Sequence, residues 1–327
     1  MPGDQEKSIG TYWQQATLND VLVRIRAHEA WTLSTGSGVT VIIVDSGICG
    51  TRKEFPSPKR AGGLCIYSSE GAWVDNYGHG TMVACIAAAG NVDGNRYKGV
   101  AYDAKVLSCR TNYQLLDGLK LLDHIYDLLV SGDIPKPAVI NCSLGFGGCQ
   151  EPRKEAFPPD HRLITVIRNL AAIGVLVVCA AGNNHLETCG FDLAADNPNT
   201  IWGINSLDEV LTVGAIDWNG ENTRGVFSKS SRGAGQFAQK TCKPDCVAPS
   251  YGEVLWGNAP LKLQWWGTSG AAPQVTGLAA LILSRTKGSI QPHEIKQVIL
   301  QNCRNLGPAS KRLGAGMINC YEALKGL

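Results

Sequence analysis

Five short, almost wholly apolar runs separated by segments of helical periodicity restrict the folds open to this chain. The first is Val39-Thr40-Val41-Ile42-Ile43-Val44, and others cover residues 104–109, 138–143, 175–180 and 210–216. A strand that is apolar on both sides must be covered on both sides, which is the situation of a parallel sheet between helices. Residues 115–130 carry Leu115, Leu119, Leu122, Ile125 and Leu129 on one helical face. Residues 79–89, 163–172, 268–284, 292–302 and 319–325 also suit helices. Strands alternating with helices predict an α/β fold with a parallel sheet and right-handed crossovers.

Composition removes several function classes. The chain has 327 residues, 44% hydrophobic and 18% charged, with a net charge of +2. That balance offers no electrostatic footprint for nucleic acid or anionic membrane, and neither is expected as a partner. The longest apolar runs, residues 174–181 and 277–283, fall far short of the ~20 needed to span a bilayer. The first residues, Met1 to Lys7, lack a basic stretch followed by an apolar core. No linker or repeat divides the chain.

Twelve cysteines fit either a bridged secreted protein or one using Cys as a small apolar residue. Cys85, Cys142 and Cys179 fall in predicted helix or strand cores and read as buried apolar residues. That favours a reduced, cytoplasmic compartment over a secreted form with its presequence removed. Cys149 and Cys189 stand in loops where a bridge is geometrically open. Cys242 and Cys246 flank Lys243-Pro244-Asp245 without the further ligands a zinc site needs.

Sites in such sheets lie beyond the carboxyl ends of strands. Asp45-Ser46-Gly47, Ser143-Leu144-Gly145 and Ala181-Gly182-Asn183 all stand there. Two more segments open helices: Gly78-His79-Gly80-Thr81 and Gly267-Thr268-Ser269-Gly270-Ala271-Ala272-Pro273. Nucleophilic acyl transfer needs a Ser, a His to take its proton and an Asp to orient the imidazole. A Ser at a helix N-terminus also meets free N–H groups that favour developing negative charge. Taken singly, each segment is an ordinary turn or cap. Their conjunction, Asp then His then Ser on an α/β pattern, points to chemistry. Gly267 to Ala271 is not a G-x-S-x-G elbow, and Gly36-Ser37-Gly38 precedes its strand, so esterase and dinucleotide-binding readings fail.

These segments resemble the subtilisin-like serine peptidases, or subtilases, from about Ile25 to the C-terminus. Further matching stretches are Val139 to Gly145, Ala180 to Asn183, Val213-Gly214-Ala215, Pro244 to Pro249 and Gly314 to Asn319. The resemblance implies a three-layer sandwich, a mostly parallel central sheet with helices on both faces, over residues 25–327. It implies a serine endopeptidase with Asp45, His79 and Ser269 as triad and Asn183 as side-chain donor of the oxyanion hole. It implies that extended polypeptide binds as an added strand along Ser143, Leu144 and Gly145. Ala180, Ala181 and Gly182 would form the opposite wall of the P1 pocket, and residues 109–113 a second pairing edge. A monomer is expected. The alternatives on the same fold are a peptide ligase or macrocyclase and a catalytically silent polypeptide-binding member.

Departures from the family pattern spare the triad. Met82 replaces a frequent His, Cys85 a frequent Gly and Ala272 a common Ser. Residues 200–205 line up with the base of the P1 pocket, where the family's Tyr-Pro-Ala run is absent and Trp202 stands instead. That predicts a pocket reshaped against large aromatic P1 residues. No cofactor is required for the chemistry. The family's structural calcium would correspond to Glu54, after the first catalytic strand, and to Asn91, Asp93 and Asn95, after the His helix. Alternating oxygen side chains suit a hard cation, and a plain surface turn is the alternative. Residues 1–24 precede the matching region and read as a packing segment or a short inhibitory extension, with Trp13 and residues 18–23 apolar.

Overall fold

The computed structural model describes residues 17–92, 98–112, 115–144, 158–183, 200–201, 203–217, 230–233, 237, 243–250, 254–256, 259–261, 267–307 and 312–327. The five apolar runs become strands β1 (Thr40–Asp45), β3 (Lys105–Arg110), β4 (Ala138–Cys142), β5 (Leu176–Ala180) and β6 (Leu211–Ile216). Two more, β2 (Arg60–Cys65) and β7 (Cys246–Pro249), complete a seven-stranded sheet in the order β2-β3-β1-β4-β5-β6-β7. Every pairing in it is parallel. A separate antiparallel pair joins β8 (Val254–Trp256) to β9 (Ala259–Leu261).

Successive side chains of a strand face opposite ways, and the sheet accordingly has two cores. Val41 and Ile43 of β1, Val139 of β4 and Val178 of β5 face one side. There they pack on α3 (His79–Ala88) and α6 (Gly267–Arg285). Ile42, Val44, Ile140 and Val177 face the other side. They meet α4 (Leu115–Ser131), through Leu121, Leu122, Ile125 and Leu129, and α5 (Arg162–Ala172). The result is three layers, helix on sheet on helix. Cys85, Cys142 and Cys179 are buried free thiols within it.

Four further helices, α1 (Leu18–Arg24), α2 (Ala27–Ala30), α7 (Pro292–Gln301) and α8 (Cys320–Lys325), lie on the first side. Thr17 and Asp20 close a capping box on α1, and Leu18, Val21 and Leu22 join the first core. The Cys320 N–H donates to the Ile25 carbonyl at 2.8 Å, tying the first helices to the last. Among the described residues no helix is long and apolar enough to cross a membrane.

β1 lies between β3 and β4, and the chain builds one side of the sheet before crossing to the other. Carboxyl ends at such a switch point open a crevice. Asp45 ends β1, and Ser143 follows β4.

Helix α6 is buried from Gly267 to Leu283. A helix with small and apolar residues on all sides can only run through a core. Gly277 is where it meets its neighbours most closely. A Cβ there would sit 2.5 Å from the Val100 Cβ and 2.8 Å from the Ala87 carbonyl oxygen. Gly277→Ala is therefore expected to destabilise the protein by about 1–3 kcal/mol through overpacking. Urea unfolding should show the loss as a lower midpoint at unchanged slope.

Candidate active site

The site grows from β1. Its last residue, Asp45, is fully buried, and its Oδ1 lies 2.7 Å from His79 Nδ1. The Ser46 N–H donates to that same oxygen at 2.7 Å. Burial alone would push the His79 imidazole toward its neutral form. The charge and hydrogen bond of Asp45, with the charge of Asp75, outweigh that and hold its pKa above the ordinary value.

Asp75 is the functional residue that sequence reasoning missed. It is buried, and five donors converge on it. Oδ1 accepts the Ser46 hydroxyl at 2.9 Å and the N–H groups of Tyr77 and Gly78 at 3.0 and 2.9 Å. Oδ2 accepts the Thr81 N–H at 2.9 Å and its hydroxyl at 2.6 Å. The Ser46 hydroxyl in turn accepts the Gly80 N–H at 2.9 Å. One carboxylate thus fixes the start of α3, on which His79 is the first residue, against the end of β1. The sequence does carry a signal, an Asp whose side chain can reach N–H groups two and three residues on.

Ser269 lies in the first turn of α6, where backbone N–H groups have no helical acceptor. Pro273 stands four residues on and has no N–H, so the Ser269 carbonyl loses its helical donor. The Ser143 hydroxyl supplies one at 3.2 Å, and the Ser269 hydroxyl donates back to the Ser143 carbonyl at 3.3 Å. Asn141 Nδ2 donates to Ser143 Oγ at 3.0 Å, and the Thr276 hydroxyl to Asn141 Oδ1 at 2.8 Å. The hydrogen bond with Cys179, together with burial, pushes the adjacent Cys142 thiol well up, which leaves it inert as a nucleophile.

Asn183 is brought to the same point. Its Oδ1 accepts the Thr268 N–H at 3.0 Å and the Thr268 hydroxyl at 3.1 Å. The anchored end is the acceptor, so Nδ2 carries the donors. Gly267 makes the fit possible, with φ +37 and no room for a Cβ beside the Asn183 amide. The Gly182 N–H donates to Thr268 Oγ1 at 3.1 Å, which places the end of β5 beside α6. Leu144, Ala180 and Ala181 are buried along these two strand ends. Gly145 and Trp202 lie outside the described residues.

The calcium expectation meets a different arrangement. Glu54 is buried, and its carboxylate accepts Arg52 Nη2 at 2.6 Å and Nε at 3.1 Å. Lys59 is also buried and donates to the carbonyls of Tyr102 at 2.6 Å and Ala104 at 2.7 Å. Two of the chain's own cations already serve the oxygens in this region. Asn91 is exposed, and Asp93 and Asn95 lie outside the described residues. Among the described residues no cluster of three or more metal-ligating His, Cys, Asp or Glu forms.

The model of the subtilase family, Peptidase_S8, matches residues 36–316. The chain belongs to that family, the class of subtilisin-like serine proteases. It is 27% identical to serine protease AprX of Bacillus subtilis (strain 168), over 89% of this chain and 67% of that protein. It is 31% identical to an extracellular serine proteinase of Thermus sp. (strain Rt41A), over 76% of this chain and 52% of that protein. The chain therefore spans between about half and two thirds of these relatives. In fold it is similar to MycP1 of Mycobacterium smegmatis, with a TM-score of 0.67 and 23% identity over 93% of this chain and 84% of that one. The MycP1 structure with its N-terminal propeptide removed gives a TM-score of 0.69 at 24% identity, covering 93% and 97% of the two chains.

Two outcomes are expected from this geometry. Asp75→Asn removes a negative charge near His79 and makes its protonation less favourable. The acid limb of the kcat/KM profile, set above pH ~6.5 by the raised His79 pKa, should then shift to lower pH. An unmoved limb would leave Asp75 with a purely structural role. Chelator should leave the Tm unchanged. Arg52→Ala, which strands a buried carboxylate, should cost roughly 3–5 kcal/mol in denaturant unfolding.

Proposed function

We propose that this chain is an endopeptidase that hydrolyses extended polypeptide through an acyl-enzyme on Ser269. The observation that carries the reading is the 2.7 Å pairing of buried Asp45 with His79 Nδ1. That bond fixes the tautomer with Nε2 as the free base. In the resting arrangement the Ser269 hydroxyl is held by the Ser143 carbonyl. Rotation about its Cα–Cβ bond passes it to His79, consistent with catalytic hydrogen bonds that tighten only around substrate.

Attack by Ser269 Oγ on the scissile carbonyl transfers the hydroxyl proton to His79 Nε2. The oxygen that gains charge is stabilised by Asn183 Nδ2 and the Ser269 N–H. Collapse breaks the C–N bond, and His79 returns its proton to the departing amine. Water, deprotonated by His79, then releases the acid and restores Ser269. Asp45 holds the ring and stabilises the imidazolium.

The strand ends at Ser143–Leu144 and Ala180–Gly182 flank Ser269, so substrate approaches as an added strand with backbone hydrogen bonds. That mode selects flexible or unfolded polypeptide. The relatives named above are proteases, which supports the reading.

A fluorophosphonate probe should label the wild type and fail on Ser269→Ala. Asn183→Ala should lower kcat about 10²–10³-fold with KM little changed. An unlabelled wild type would leave a polypeptide-binding protein without peptidase chemistry.

A further inference from the structure

The strand ladder between β4 and β5 stops at the pair Cys142 and Cys179. Beyond it Ser143 bonds Ser269, and Gly182 bonds the neighbouring Thr268. The Leu144 and Ala180 carbonyls there are bridged by one side chain, that of Asn205. Its Nδ2 donates to Leu144 O at 3.1 Å and to Ala180 O at 2.8 Å. Both protons of the amide are thereby used, which fixes which end is nitrogen. The side chain is 3% exposed and lies across the gap from wall to wall. Its Oδ1 is buried without a hydrogen-bond partner among the described residues. Buried acceptors are nearly always satisfied, and an unsatisfied one calls for an explanation.

We propose that Asn205 is the specificity-determining residue of this site. It floors the gap between β4 and β5 and selects a short P1 side chain that carries a hydrogen-bond donor. The inference deepens the peptidase reading and rests on it. Two physical effects give the selection. A floor tied to both walls limits the depth, so a large aromatic or long aliphatic side chain cannot seat. An acceptor with no partner in the free protein is completed by a substrate hydroxyl or amide and is left stranded by an apolar isostere. Sites that hydrogen-bond a substrate group reject the analogue lacking it far more strongly than apolar pockets reject a changed methylene.

The floor does not depend on the side chain alone. The Asn205 carbonyl accepts the Thr212 hydroxyl at 2.6 Å, and the next residue's hydroxyl, Ser206 Oγ, accepts the Phe237 N–H at 3.0 Å. Ile204 is fully buried in the second core. The backbone that presents the amide is held from below, so truncating the side chain should empty the floor rather than let it collapse.

The test is a panel of otherwise identical peptides with P1 Thr, Val, Asn, Leu or Phe, assayed on the wild type, Asn205→Ala and Asn205→Ser. Fluorophosphonate labelling of each protein runs in parallel. Thr against Val and Asn against Leu are near-isosteric pairs that differ in the donor. The wild type is expected to favour Thr over Val and Asn over Leu by at least about tenfold in kcat/KM, with Phe poorest. In Asn205→Ala both ratios should fall toward one and the Phe peptide should gain at least about tenfold relative to Thr. Asn205→Ser, which keeps a shorter acceptor, should fall between. A wild type that is labelled but cleaves Val as well as Thr, or Phe best, overturns the inference while leaving the peptidase reading intact. A wild type that is neither labelled nor active overturns both. The wild-type ratios decide the matter even if a variant fails to fold.

Discussion

Pro273 denies the Ser269 carbonyl its helical hydrogen bond, and the Ser143 hydroxyl supplies the replacement at 3.2 Å. That one contact joins the first turn of α6 to the end of β4. Much of the site depends on it, because it converts two independent elements into one frame. The frame is rigid for a further reason. α6 is buried on all sides, so it cannot slide or rotate without clashes along its length. The same turn holds the Asn183 amide through the Thr268 N–H and hydroxyl. Ser269, Asn183 and the end of β4 are thus positioned by a single helix start.

The charge side of the site is arranged separately, around β1 and α3. Two buried carboxylates serve His79 in different ways. Asp45 bonds the ring, while Asp75 bonds the backbone that carries it. An ionised carboxylate is costly to bury unless its oxygens are occupied. Asp75 meets that condition with five donors, and through them it becomes the fixed point between strand and helix. Desolvation and Coulomb attraction oppose each other at His79, and attraction wins. The balance leaves a base that is neutral above its raised pKa and well stabilised when it takes a proton.

Most of this architecture could be read from residue patterns, and the exceptions share a cause. Strands β1, β4 and β5 are doubly covered and therefore continuously apolar, so their runs were plain. α6 was legible because small and apolar residues continue from Thr268 to Leu283. β2, Arg60–Cys65, is Gly-rich and half exposed, with an irregular register between Arg60 and Gly63. Among the described residues it pairs only with β3, and it carries no periodic signal. Asp45, His79 and Ser269 sit in glycine-flanked motifs at element ends, which spacing exposes. Asn205 works through side-chain hydrogen bonds to partners 61 and 25 residues away, and Asp75 joins its near neighbours to Ser46, 29 residues back; no period encodes such links. Glu54 is a different case: its position suits a calcium ligand, and the structure pairs its carboxylate with Arg52 two residues before it.

The cleft floor and the buried ions behind it form one continuous device. Asn205 hangs from Thr212, whose hydroxyl also accepts Lys243 Nζ at 3.0 Å. Lys243 is fully buried and bonds Asp245 at 2.7 Å, and Lys296 reaches the other Asp245 oxygen at 2.9 Å. The Thr212 N–H donates to Asp245 as well, at 2.7 Å. A buried ion pair is weak evidence for stability, since desolvation offsets most of its attraction. Its directional value is another matter. Apolar side chains of the same volume could fill the space behind β6, yet none could orient the Thr212 hydroxyl toward Asn205. Burying charge at this place makes sense if what the fold needs there is an angle rather than an energy. That hydroxyl holds the Asn205 backbone carbonyl, and from that backbone the side chain bridges the Leu144 and Ala180 carbonyls.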